Sequence, residues 1–155
     1  MATDPLIYLD TNVFIAGFEG PPEIAAPVQN LLRALRGLRG VVVSSELTLA
    51  ELLAPVRRPD ALSTMERRQL YLNLLLRNIA IDLQPITRDI LIKTADLRSM
   101  NGYKLADAIH LVTAVETSCA FFVSNDDRLR KLPAGLGKIR PDQAGVDELL
   151  RELSQ

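Results

Sequence analysis

Four acidic side chains stand where their surroundings call for apolar or purely structural residues. Asp10 closes the apolar run Leu6-Ile7-Tyr8-Leu9, and Asp126 follows Phe121-Phe122-Val123-Ser124. Glu51 interrupts Leu47-Thr48-Leu49-Ala50-Glu51-Leu52-Leu53-Ala54, where Thr48 is the only other polar side chain, and Asp107 opens the helical pattern Leu105 to Val112. Packing explains such carboxylates poorly, because an unpartnered charge in apolar surroundings is costly. Brought together they would repel and raise one another's pKa unless a cation neutralised them. Oxygen ligands suit Mg²⁺ or Mn²⁺, which keep several waters. Such an ion can activate a bound water and stabilise charge on a scissile phosphate.

Each of the four also has a bland reading. Asp10, followed by Thr11 and Asn12, could cap a helix or close an Asx turn. Asp107 would be stabilised in a first helical turn by the macrodipole. Asp126 lies in Ser124-Asn125-Asp126-Asp127, which could cap a short helix through Arg128 and Leu129. For Glu51 the bland reading is weakest. Leu49, Ala50, Leu53 and Val56 share one helical face and Thr48 and Glu51 the other, but Leu47 and Leu52 leave only a narrow polar stripe.

The elements that would position these residues alternate along the chain. Short apolar strands are expected at Leu6–Leu9, Val41–Ser44, Ile79–Leu83, Phe121–Ser124 and, weakly, Lys138–Arg140. They lack clean alternation, as strands covered on both faces do. Helices are expected from Pro22 to about Arg36 and from Ser45 to Val56. A capping box at Ser63-Thr64-Met65-Glu66 opens one to about Leu76, and another runs from Thr87 to Asn101-Gly102. A further helix spans Lys104 to Thr117, with Leu105, Ala108, Ile109, Val112 and Val115 as its apolar stripe, and a last one covers Val146–Leu153. The pattern implies an α/β fold in three α/β/α layers with a mainly parallel sheet. Ligands of such sheets bind beyond the C-terminal strand ends, where all four acids could converge.

The 155 residues suit a single domain over 1–155, and 48% hydrophobic content fits a compact core. No run approaches the ~18 apolar residues of a membrane span, and Asp4 without a basic segment argues against a signal peptide. One cysteine, Cys119, excludes an internal disulfide framework and fits a reducing cytoplasm. Net charge is −1; with the four acids set aside, 15 acidic residues remain against 18 basic ones. The pairs Arg57-Arg58, Arg67-Arg68 and Arg130-Lys131 are then candidates for phosphate contact. His110, the only histidine, lies one turn after Asp107 and is read as a partly exposed structural residue. A single histidine leaves Ser-His-Asp or His-rich zinc chemistry with little support. Walker and dinucleotide-binding glycine motifs are absent. Trp is absent too, and aromatic content is 5%, which argues against a stacking platform for single strands.

Taken in order, Leu9-Asp10-Thr11-Asn12-Val13-Phe14-Ile15, Thr48-Leu49-Ala50-Glu51-Leu52, Leu105-Ala106-Asp107-Ala108-Ile109-His110 and Val123-Ser124-Asn125-Asp126 resemble the four signatures of PIN domains. The resemblance covers nearly the whole chain, and a free-standing domain of this size resembles the VapC-type toxins of toxin–antitoxin pairs. It implies a metal-dependent endoribonuclease, a homodimer, and a small antitoxin that blocks the site. Asp10, Glu51, Asp107 and Asp126 would form the acidic quartet, with Thr11, Asn12 and Ser124 in support; Asp127 is the alternative fourth acid. Two other functions compete. One is a non-catalytic module that binds RNA or a protein. The other is an aspartyl phosphatase, but that family's second Asp falls where this chain has Asn12.

Overall fold

Ile7, Tyr8 and Leu9 are all fully buried, which requires a strand covered on both faces. That strand, β1 (Ile7–Leu9), lies at the centre of a five-stranded sheet with β2 (Val42–Ser45), β3 (Ile81–Gln84), β4 (Phe121–Val123) and β5 (Gly137–Ile139). The strand order is β3-β2-β1-β4-β5, and every neighbouring pair is parallel. The structure, a computed structural model, describes residues 3–77 and 80–155. The expected strand at Ile79–Leu83 begins instead at Ile81, and Ile79 lies outside the described residues.

Successive residues of β1 point to opposite faces. Ile7 and Leu9 pack into a core with Val13 and Phe14 of α1 (Thr11–Glu19), Val28 and Leu31 of α2 (Pro22–Leu35), Leu52 of α3 (Leu47–Leu53), Tyr71 and Leu75 of α4 (Thr64–Leu76), and Val146 and Leu149 of α7 (Gln143–Leu153). Tyr8 faces the other way, onto Leu111 and Ala114 of α6 (Leu105–Glu116). Behind α6 lies α5 (Arg88–Asn101), joined through Ile90, Ile109 and Val112. The expected three layers are therefore present, and fully burying each large apolar side chain contributes about 1.5–3 kcal/mol.

Several local signals act as expected. Ser63 and Glu66 form the capping box of α4, and Thr87 caps α5 by accepting from Ile90 N. Gly102 ends α5 in the left-handed region at φ 65°. Two expectations fail, for α3 and α6, and one helix is additional to those expected. The additional helix, α1, starts where Asp10 accepts from Thr11 N, so Asp10 does cap a helix. α3 stops at Leu53 and buries Thr48 and Leu52 while Ala50 stays exposed. Thr48 and Glu51 turn inward to hydroxyl and imidazole partners, beside Leu49, Leu52 and Leu53, which pack on the core. α6 buries every residue from Ala108 to Ala114, whereas Leu105 and Val115 are exposed. A helix wedged between sheet and α5 has no wide solvent face, so a single stripe does not describe it.

The far end of α1 is anchored. Glu19 accepts from Arg67 Nη2 at 3.0 Å and from Tyr71 OH at 2.5 Å, and both members of the ion pair are almost wholly enclosed. Arg67 also donates to Ala54 O at 2.7 Å, tying α1, α4 and the end of α3 together. Arg67 is therefore buried and is no phosphate contact. Gly17 completes the fixation, since a Cβ there would lie 2.6 Å from Val28 Cγ1. Removing one partner of a buried pair strands the other charge. Arg67→Ala is expected to cost about 3–5 kcal/mol in urea denaturation. Replacing both charges by Glu19→Leu with Arg67→Met is expected to cost less.

Candidate functional site

The connections leaving β1 and β4 run to opposite faces of the sheet, which opens a crevice at the strands' C-terminal ends. Asp10 stands there directly after β1, and Ser124 and Asp126 directly after β4. α3 brings Glu51 from the side of β2, and the first turns of α6 bring Asp107 and His110.

Asp10 is held rigidly. Its Oδ1 accepts from Thr11 N at 2.8 Å; its Oδ2 accepts from Ser124 Oγ at 2.8 Å and from Asn12 Nδ2 at 3.2 Å. Asn12 also donates to Ser124 Oγ at 3.1 Å and accepts from Asn125 N at 2.9 Å, lacing the ends of β1 and β4 together. Burial raises the Asp10 pKa, against the lowering pull of His110 and of these hydrogen bonds. Glu51 meets the opposite balance. Burial pushes it up, but hydrogen bonds from His110 and Thr11 outweigh that, and the carboxyl ends below its ordinary range.

His110 corrects the reading of a partly exposed histidine, for it is 1% exposed. Its Nε2 lies 2.6 Å from Glu51 Oε1 and 3.8 Å from Asp10 Oδ1, and its Nδ1 lies 2.6 Å from Tyr8 OH. Thr11 Oγ1 donates to the same Glu51 oxygen at 2.8 Å and lies 3.1 Å from Thr48 Oγ1, which lies 3.0 Å from Ser44 Oγ. Tyr8 and Ser44, which the sequence did not single out, thus belong to the site, together with Thr48 of the polar stripe on α3. The available signal was a tyrosine in a strand buried on both faces, whose hydroxyl must find a partner.

Asp107 differs from the other three. It is partly buried, yet its carboxylate accepts no hydrogen bond among the described residues. Burial raises its pKa, and the charges of Asp10 and Asp126 raise it further. Asp126 is lowered mainly by Arg128, whose guanidinium grips both its oxygens at 2.7–3.2 Å. No short helix follows it; residues 127–128 form a turn. Asp127 is exposed and pairs with Arg140, so Asp126 is the one that faces Asp107.

All four sequence-selected acids therefore meet at one sheet edge. Among the described residues, no three His, Cys, Asp or Glu side chains form a group that could by itself enclose a metal ion. Mg²⁺ does not need one: it keeps several waters and takes one or two carboxylates. The donor set is all oxygen, since both nitrogens of His110 are already engaged. A groove beside Asp107 is lined by Tyr103, Lys104, Arg128, Arg130 and Lys131. The Arg130-Lys131 pair singled out from sequence thus borders the acids.

The PIN domain family model matches residues 7–135, and the chain belongs to the PIN domain family. Solved structures share the fold. DNA-bound VapBC from Salmonella typhimurium is 14% identical, with 88% of this chain and 98% of that chain covered at a TM-score of 0.65. VapBC2 from Rickettsia felis, bound to a promoter DNA fragment, is 15% identical, covering 87% and 98% at a TM-score of 0.61. A toxin–antitoxin complex from Klebsiella pneumoniae is 21% identical, covering 84% and 94% at a TM-score of 0.60. No curated protein matches the sequence. No helix among the described residues is long and apolar enough to cross a membrane.

The crowding of Asp107 has a consequence for stability. A carboxyl whose folded pKa is raised binds its proton more tightly in the native state. Stability then falls as pH climbs from the unfolded value, about 4, through the folded one. In EDTA, Asp107→Asn is expected to melt above wild type at pH 7, the gap closing below about pH 4. Thermal melts across this range check the sign; a variant that melts lower at pH 7 contradicts it.

Proposed function

We propose that this chain is a divalent-metal-dependent endoribonuclease that hydrolyses RNA phosphodiester bonds as the toxin of a toxin–antitoxin pair. The observation that carries the reading is Asp107: a partly buried carboxylate without a donor, set against two further acids. Crowding of that kind is unfavourable until a cation joins it. Membership of the PIN domain family supports it, as do solved neighbours that are toxin–antitoxin complexes.

In this reading Asp10 and Asp107 hold Mg²⁺ or Mn²⁺, with Glu51 and Asp126 completing the acidic set. When bound, such an ion supplies Lewis-acid stabilisation of phosphate charge and a lowered pKa for water. The chain's own residues do the positioning. Ser124, Asn12 and Thr11 N fix both oxygens of Asp10, so its orientation needs no rearrangement on binding. Thr11 Oγ1 and His110 fix one oxygen of Glu51. Lys104, Arg130 and Lys131 flank Asp107 and would meet the strand's phosphates, with Arg128 free to exchange Asp126 for a phosphate.

One solved structure that shares the fold is a toxin–antitoxin complex, and a small antitoxin partner is proposed here. The homodimer rests on the resemblance alone. A lone, buried, unpaired cysteine and an RNA substrate fit the cytoplasm.

Purified protein incubated with a mixed RNA pool and Mg²⁺ or Mn²⁺ is expected to give products that vanish in EDTA. Asp10→Asn and Asp107→Asn should each slow cleavage about 10²–10³-fold with the fold intact by circular dichroism. Wild-type rates in both variants would sink the reading, and RNA binding without cleavage on any host RNA would favour a binding module. Raising salt should weaken RNA binding steeply. Combined Lys104→Ala, Arg130→Ala and Lys131→Ala should flatten that log–log slope by about 0.7 per lost contact.

A further inference from the structure

Tyr8 and His110 form a chain of contacts that ends on a carboxylate oxygen. Tyr8 is wholly buried and leaves β1 toward α6, its ring stacked on Phe122 with centroids 5.2 Å apart. Its hydroxyl lies 2.6 Å from His110 Nδ1, and His110 Nε2 lies 2.6 Å from Glu51 Oε1. An ionised carboxylate only accepts, so Nε2 carries a proton. Nδ1 accepts from the Tyr8 hydroxyl in the neutral ring and donates to it in the charged one, so the contact is a hydrogen bond in either form. Burial, reinforced by the charge of Asp10, keeps that phenol protonated. With both nitrogens engaged, His110 has neither free to ligate a cation. Glu51 Oε1 is meanwhile taken twice, by Nε2–H and by the Thr11 hydroxyl at 2.8 Å, whereas Oε2 has no hydrogen-bond donor among the described residues.

We infer that Tyr8 and His110 are positioning residues that lock the Glu51 carboxylate with Oε1 turned inward, so that Oε2 is the oxygen offered to a divalent cation. The inference rests on the reading of the acids as a cation site. A partner that fixes a ligand's orientation without touching the metal typically changes metal affinity 10–100-fold when removed. A histidine that merely fills the space between sheet and helix would not.

The test is calorimetric titration of the full chain with Mn²⁺, beside nitrogen-15 NMR of the single histidine. Wild type is expected to bind Mn²⁺ and to show a protonated Nε2. Tyr8→Phe keeps the stacked ring and removes only the hydroxyl; it should bind Mn²⁺ about 10-fold more weakly. His110→Gln, whose amide can still donate toward Glu51, should retain more affinity than His110→Leu. Melting curves check that each variant is folded. If Tyr8→Phe and His110→Leu bind Mn²⁺ like wild type, the two residues only pack, and the inference is overturned while the cation site stands. Should wild type itself bind no Mn²⁺, both the cation site and the inference fall. A bare Nε2 in the wild-type spectrum overturns the inference without any variant.

Discussion

Carboxylates set side by side at the end of a buried sheet repel one another and resist leaving water. Much of this molecule is arranged around that conflict. Asp10 is surrounded by one backbone and two side-chain donors, and Glu51 is met by an imidazole and a hydroxyl. Asp126 has a guanidinium. Among these four, only Asp107 accepts no hydrogen bond from the described residues, and the charges of Arg128 and His110 offset its crowding in part. Stability has thus been yielded locally, as it commonly is at sites that act on something else.

The sheet topology makes the conflict possible. β1 and β4 are neighbours though more than a hundred residues separate them in the chain, and their connections, helices α1 and α2 after β1 and a loop after β4, leave on opposite sides. The ends of the two strands therefore face an opening instead of a packed helix. Asn12 bridges that opening by bonding Ser124 and the backbone of Asn125, so the gap is held at fixed width. α1 carries Thr11 and Asn12 at one end and the enclosed Glu19 at the other, which makes it a rigid strut between the α4 anchor and the acids.

Much of this was legible from residue order. The strands, the three layers, the four acids and their polar neighbours Thr11, Asn12 and Ser124 could all be located, because apolar runs and misplaced charges leave local traces. What escaped depends on three-dimensional proximity. α1 is short, and its capping residue doubles as a site residue, so its start read equally as a turn. Burial of Thr48 instead of Ala50 on α3 follows from partners on β2 and α1 that no helical wheel displays. The enclosure of His110 has the same origin: α6 is covered by the sheet on one side and α5 on the other. Arg67 looked like half of a basic surface pair because its acidic partner lies 48 residues away.

The central position of β1 also bears on how the chain emerges during synthesis. Leu9 is made about 110 residues before its partner strand at Phe121. At roughly 5–20 residues per second, one edge of β1 waits on the order of 10 s for its neighbour. Until then the strand presents unpaired amides and carbonyls, and Asp10 lacks the Ser124 hydroxyl that steadies it. A chain not yet made as far as α6 carries Asp10 and Glu51 with neither Asp107 nor Asp126, so the acidic edge is completed only once β4 and the turn after it have been made.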